Sequence, residues 1–148
     1  MLKEQMSKGF TATQSVTIAA SPERVWDALT NPEVVRLYMH GTELSSDWKV
    51  GSSITWRGSW KGKSYEDKGT VLDLVVPSLL RHTYWSSMGG GEDQPDNYRT
   101  VTYHLQAEGD ATGLTVTQDN NPTQAAADQM AEANWAPVLR GLKEAVER

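Results

Sequence analysis

The stretch VTIAASPERVWDALTNPE, residues 16–33, decides the fold. Its first residues alternate, with Val16 and Ile18 on one side of a run over residues 13–19, the pattern of a half-buried strand. Ser21, Pro22 and Glu23 then supply a hydroxyl cap, a residue already bent for the first helical turn, and a carboxylate beside the positive end of the helix dipole. Val25, Trp26 and Leu29 give that helix one apolar face. Asn31 and Pro32 repeat the same grammar at once, so a second short helix runs to about Tyr38.

Downstream, over residues 51–119, the apolar period changes to two, in runs separated by turn chemistry. Residues 52–60 alternate through Ile54 and Trp56, Lys61-Gly62-Lys63 turns the chain, and residues 65–76 return as a long strand that Pro77 ends. Leu80, His82 and Tyr84 share one face of the next strand, and Val101, Tyr103 and Leu105 share one face of another. Gly109 and Gly113 bracket the last hairpin, after which Leu114 and Val116 alternate toward Asp119. Between these strands residues 86–97 carry Gly89-Gly90-Gly91, Glu92, Asp93, Pro95 and Asp96, the composition of a mobile loop. Neither a strand-to-helix transition nor a Lys-Ser/Thr pair accompanies the glycines, so an exposed hairpin tip is expected there and not a phosphate cradle.

Asn121, Pro122 and Gln124 predict the cap, first residue and capping box of a final helix that runs almost to the end. Trp135, Leu139, Leu142 and Val146 form an apolar stripe along its second half. Its first half is built from Ala125, Ala126, Ala127, Ala131 and Ala133, with Met130 the one large apolar side chain, and Pro137 predicts a kink. Laid across a concave sheet, the bulky half would pack tightly and the alanine half would leave space beneath residues 125–134. Whether that space stays open or is filled by Trp and Tyr from the sheet is left open by the sequence.

The opening signature of residues 16–33, Gly69-Thr70-Val71-Leu72 followed by Pro77 and Leu80, and Asn134-Trp135 with Leu139, Leu142 and Lys143 together resemble the START-like (SRPBCC, birch-pollen-allergen fold) superfamily. Within it the chain is similar to the branch of homologues of the activator of the heat-shock chaperone ATPase. It departs from that branch at Tyr38-Met39, where Trp-Phe is usual, and at Asn134, where Gly is common. The resemblance implies an α+β helix-grip fold, a curved antiparallel β-sheet wrapped around a long C-terminal α-helix, with two short helices after the first strand. A poorly ordered extension over residues 1–12 and a single domain over 13–148 are expected.

Composition narrows the function. The 148 residues carry a formal net charge of −5 with no basic run, which argues against nucleic acid as a partner. Cysteine is absent, so disulfides and thiolate chemistry are excluded, in keeping with a cytoplasmic protein. No apolar run approaches the ~20 residues of a membrane span, so membrane insertion is not expected. Six Trp and five Tyr accompany one Phe, side chains that pair a large apolar face with one polar handle. His40, His82 and His104 form no metal-spacing motif, and no metal, cofactor or catalytic set is expected.

By strand parity only His82 turns inward, and Asp73 is the other polar residue that could reach an interior. The leading reading is a module that binds a hydrophobic or amphipathic small molecule in an internal cavity, with Trp56, Asp73, His82, Tyr84, Tyr103, Met130 and Trp135 as candidate ligand-binding residues. The alternative is a co-chaperone-like interaction domain that acts on a heat-shock chaperone in the stress response. A second alternative is a cyclase-like or hydrolytic enzyme using His82 and Asp73. Either a monomer or a homodimer is compatible with the sequence.

Overall fold

A computed structural model of the chain describes residues 8–89 and 91–148. Seven strands form one antiparallel sheet in the order β1-β7-β6-β5-β4-β3-β2, so the first strand pairs with the last. They are β1 (Phe10–Ile18), β2 (Glu43–Ser46), β3 (Ser53–Trp60), β4 (Lys63–Val75), β5 (Leu79–Tyr84), β6 (Arg99–Glu108) and β7 (Ala111–Asn121). Two short helices, α1 (Pro22–Thr30) and α2 (Pro32–Tyr38), follow β1, and α3 (Gln124–Met130) and α4 (Ala136–Glu147) complete the chain. This is the helix-grip architecture that the sequence implied.

The caps work as read at the first two helices. Ser21 Oγ accepts from Arg24 N at 3.3 Å and Asn31 Oδ1 from Glu33 N at 3.0 Å, while the Asn31 amide closes α1 on the Asp27 carbonyl at 2.7 Å. One residue thus ends one helix and starts the next. β1 begins at Phe10, three residues before the expected start, so the expected extension over residues 1–12 is too long at its inner end; residues 1–7 lie outside the described residues. The short edge strand β2 carried no alternation long enough to be read. Among the described residues of 86–97 there is a single 3-10 turn, Pro95–Asn97, and Asp93 in that segment pairs with Lys68 at 2.6 Å.

The last helix starts differently from its expected cap. Asn121 is the final residue of β7, is 2% exposed, and donates from Nδ2 to the carbonyls of Phe10 (2.9 Å) and Gln118 (3.1 Å). Thr123 caps instead, its Oγ1 accepting from Ala126 N at 3.0 Å. The buried carbonyls of the sheet claim the Asn121 amide, because leaving them unpaired costs more than a cap is worth. Where a kink was expected at Pro137, residues Ala131–Trp135 form a π-helical turn in which Ala136 N donates to Ala131 O, five residues back. Proline offers no N–H to continue the ordinary ladder, and the widened turn just before it absorbs the break.

The core has three parts. Ile18, Val25, Leu105, Leu114, Leu139 and Leu142 lead the largest, joining β1 and β5–β7 to α1 and α4. Val35, Leu44, Ile54, Trp56 and Val71 form a second between α2 and β2–β4, and Ala12, Ala127 and Ala131 a third where α3 meets β1. Polar ties hold α4 in place: Lys143 Nζ donates to the Thr17 carbonyl at 2.9 Å, Glu147 accepts from Ala19 N at 2.7 Å, and Arg24 on α1 donates to the Val146 carbonyl at 2.7 Å. α2 packs so close to α4 that a Cβ added at Gly141 would stand 3.1 Å from that of Tyr38.

Thr123→Ala should lower stability by about 1 kcal/mol by uncapping α3, and Asn121→Ala by more, because it orphans buried carbonyls. Chemical denaturation of the two variants checks both, and no loss in Thr123→Ala would return the cap to Asn121.

Candidate functional site: a cavity between sheet and helix

Ala12, Gln118, Val101, His82 and Val71 are successive cross-strand partners from β1 to β4, and this row forms the floor of the space beneath the C-terminal helices. At the β1 end the floor is covered, because Ala127 and Ala131 seat directly on Ala12. The close approaches of α3 and α4 are to β1, β7 and the two short helices. Over β5 and β6 the three apolar clusters do not close, and a cavity of about 410 Å³ lies in the seam between them. Ala127 and Ala131 bring the helix down onto β1, and the space opens beside them, where Met130 and Asn134 of the same segment line it. Beyond it, an adjoining hollow of about 590 Å³ reaches the surface between α2, the β3–β4 hairpin and Pro137.

Six of the seven candidate residues, Trp56, His82, Tyr84, Tyr103, Met130 and Trp135, line the cavity. Asp73 does not. Val71 pairs with His82 but Asp73 pairs with Arg81, so Leu72 is an extra residue that bulges the strand. Asp73 consequently lies beside Arg81, its carboxylate 3.2 Å from the Arg81 guanidinium on a half-exposed surface. The pairing of His82 with Asp73 on which an enzyme was conceived is not formed. His104 is exposed, as its parity required, and the His40 ring lies tilted against Trp60 with centroids 5.4 Å apart.

His82 is 4% exposed, with its ring 5.3 Å from Trp56 and 6.1 Å from Tyr103. Its Nδ1–H donates to the Thr83 carbonyl at 2.8 Å, which leaves Nε2 as an acceptor with no partner among the described residues. Burial lowers its pKa to about 4, so the ring is neutral near pH 7. Burial likewise pushes the phenols of Tyr103 and Tyr84 upward, and they remain protonated donors. Tyr84 meets Trp56 edge-on at 5.1 Å and donates to Asp67 at 2.5 Å. The other Asp67 oxygen accepts from Ser87 N at 3.0 Å, which fixes the first residues of the loop over the cavity mouth. On the helix side Trp135 Nε1 donates to Gln118 Oε1 at 3.0 Å.

Sequence reading missed Trp48, Asp67, Arg99 and Gln118, all of which line the cavity or its outer hollow. For Arg99 and Gln118 the signal was available, since each lies two residues from an inward apolar neighbour, Val101 and Val116. Asp67 follows from the hairpin register, in which it pairs with Trp56. Trp48 gave none: it sits in a loop at φ 53°, a conformation disfavoured for a bulky residue, and packs against both larger apolar clusters. Among the described residues no three His, Asp or Glu side chains converge as metal ligands would, and no helix is long and apolar enough to cross a membrane.

The solved structure of a protein from Cytophaga hutchinsonii, 44% identical, is matched over 94% of this chain and 94% of its own with a TM-score of 0.80. The Aha1 dimer from Colwellia psychrerythraea is 20% identical, with 93% of this chain and 96% of its own covered and a TM-score of 0.68. For an HSP90 activator from Plasmodium falciparum the figures are 20% identity, 77% and 75% coverage, and 0.62. The likeness to the last two is one of fold. No curated protein matches the chain significantly. Residues 19–147 match the sequence profile described as Activator of Hsp90 ATPase homolog 1-like protein, and the chain belongs to that family.

Proposed function

We propose that the domain encloses one small amphipathic molecule between the sheet and its C-terminal helices. The observation that carries this reading is the seam itself: a space of about 410 Å³ left between three apolar clusters that are bridged by partly buried side chains such as Trp48 and Trp135. Small-molecule pockets fall at roughly 300–1,000 Å³, with apolar and aromatic walls and a few placed polar groups. Here the walls are indole and phenol faces, and the His82 Nε2 acceptor and the Tyr103 hydroxyl have no hydrogen-bond partner among the described residues. Those two groups would set the orientation of a bound hydroxyl or carbonyl, and the aromatic faces would supply most of the affinity.

The chaperone reading is favoured by a different observation, the family description together with Leu37 and Trp60, which stand 61% and 46% exposed beside the outer hollow. An interaction surface there would use the α2 and β3–β4 side of the domain, and the cavity behind it would be incidental.

A thermal-melt screen against fatty acids, sterols and polycyclic aromatics tests the first reading. Saturation at about 100 times the dissociation constant adds roughly 2.7 kcal/mol and should raise the midpoint by about 5–10 °C for one class. No shift with any class would overturn it. His82 adds a pH signature. Its folded pKa lies below the unfolded value of about 6.5, so the unfolded chain binds the extra proton; stability is full above pH 6.5 and falls as pH drops toward 4. In His82→Phe the loss of stability between pH 7 and 4.5 should be smaller than in the wild type, by about 2 kcal/mol. Equal slopes for the two proteins would place a solvated, ordinary histidine at this position. For the chaperone reading, the purified domain should stimulate ATP hydrolysis by a heat-shock chaperone and Leu37→Asp should abolish the effect; no stimulation and no binding would remove it.

A further inference from the structure

Arg99 opens β6 directly opposite Tyr84 and two residues before Val101, on the strand face that also carries Tyr103 and Leu105. That face is the concave one, and Arg99 is half-buried in the cavity wall. It is the one formally charged side chain in that wall among the described residues, since His82 is neutral. The acids that approach this end of the sheet are already engaged. Asp119 accepts from Thr100 N at 2.6 Å and Lys8 N at 3.1 Å, and Asp67 takes the Tyr84 hydroxyl and Ser87. Arg99 itself forms no ion pair and no side-chain hydrogen bond with any described residue.

A half-buried guanidinium in a wall of aromatic and neutral polar side chains is costly without a counter-charge, and its planar fork of donors fits a carboxylate edge to edge. Resting on the enclosed-ligand reading, we infer that the bound molecule is a carboxylic acid. Its carboxylate is seated on Arg99 beneath the loop of residues 86–97, and its apolar body runs along Tyr103 and Trp135 toward Trp56. One cation matches one negative charge, which suits a carboxylate better than a phosphate dianion. Gly89, Asn97 and Arg99 all line the cavity and none of them lines the outer hollow, so the head group would sit at the end away from that hollow.

Two matched pairs test the assignment by calorimetry at pH 8, where the acids are ionised: dodecanoate with dodecanol, and 2-naphthylacetate with 2-naphthylethanol. For at least one pair the acid should bind the wild-type protein about 10-fold or more tighter than its alcohol, the range of a charge-assisted hydrogen-bonded pair. Arg99→Gln should weaken the acid by about the same factor and leave the alcohol within about 2-fold, while Arg99→Lys, which keeps the charge but loses the fork, should fall between. Equal binding of acid and alcohol, or an acid affinity that Arg99→Gln does not change, overturns the carboxylate and leaves the enclosed-ligand reading standing. Binding of neither member of either pair, together with an empty melt screen, overturns both.

Discussion

A seven-stranded sheet with one apolar face must bury that face, and among the described residues only the helical run 124–147 is long enough to lie across it. Everything else in the structure follows from how that contact is divided. At the β1 edge the contact is between alanines, and the backbones come close. At the C-terminal end Leu139, Leu142 and Val146 drive into the main cluster, and Lys143, Glu147 and Arg24 tie the helix to the end of β1 and to α1. Held down along one edge, the helical pair keeps its backbone away from β5 and β6 and reaches them through side chains such as Trp135 on Tyr103, and the unfilled remainder of the concave face is the cavity. The space is thus a product of the core's geometry and does not come from any single undersized residue.

Much of this was legible. Alternation gave the long strands, and the Ser21-Pro22 and Asn31-Pro32 pairs gave two helices whose caps are as written. Parity placed His82 inward and His104 outward. The failures share a cause, which is that local patterns do not report which of two equivalent local solutions the tertiary structure selects. Asn121 and Thr123 are both competent caps, and only the buried carbonyls of Phe10 and Gln118 decide between them. Asp73 was named as a polar residue of a long strand that could reach an interior, and a bulge at Leu72, which no local pattern announces, sets it beside Arg81 instead. The alanines signalled a missing volume correctly but not its consequence, since a small residue can open a void or draw two backbones together.

Gly69 shows the opposite case, a residue whose role is unreadable locally yet strictly determined. A Cβ there would lie 1.8 Å from the Thr83 carbonyl oxygen, so the crossing of β4 and β5 beside the cavity floor requires its absence. Thr70 N donates to Thr83 Oγ1 at 2.9 Å next to it, and His82 grips the same Thr83 carbonyl through Nδ1. The ring that offers an acceptor to the cavity is therefore held by a backbone contact that one glycine permits.

The π-helical turn before Pro137 has an arithmetic consequence. Counting 100° per residue along an uninterrupted α-helix, the face of Ala127 and Ala131 and the face of Leu139, Leu142 and Val146 would be roughly 70° apart. A turn closed five residues back spends one extra residue, about 100° of phase, and returns the two sets to within roughly 30° of a common face. The widened turn is thus a phase correction: it lets an alanine segment cut to fit β1 and a leucine segment cut to fit the main core behave as one continuous buried stripe, although the sequence writes them out of step.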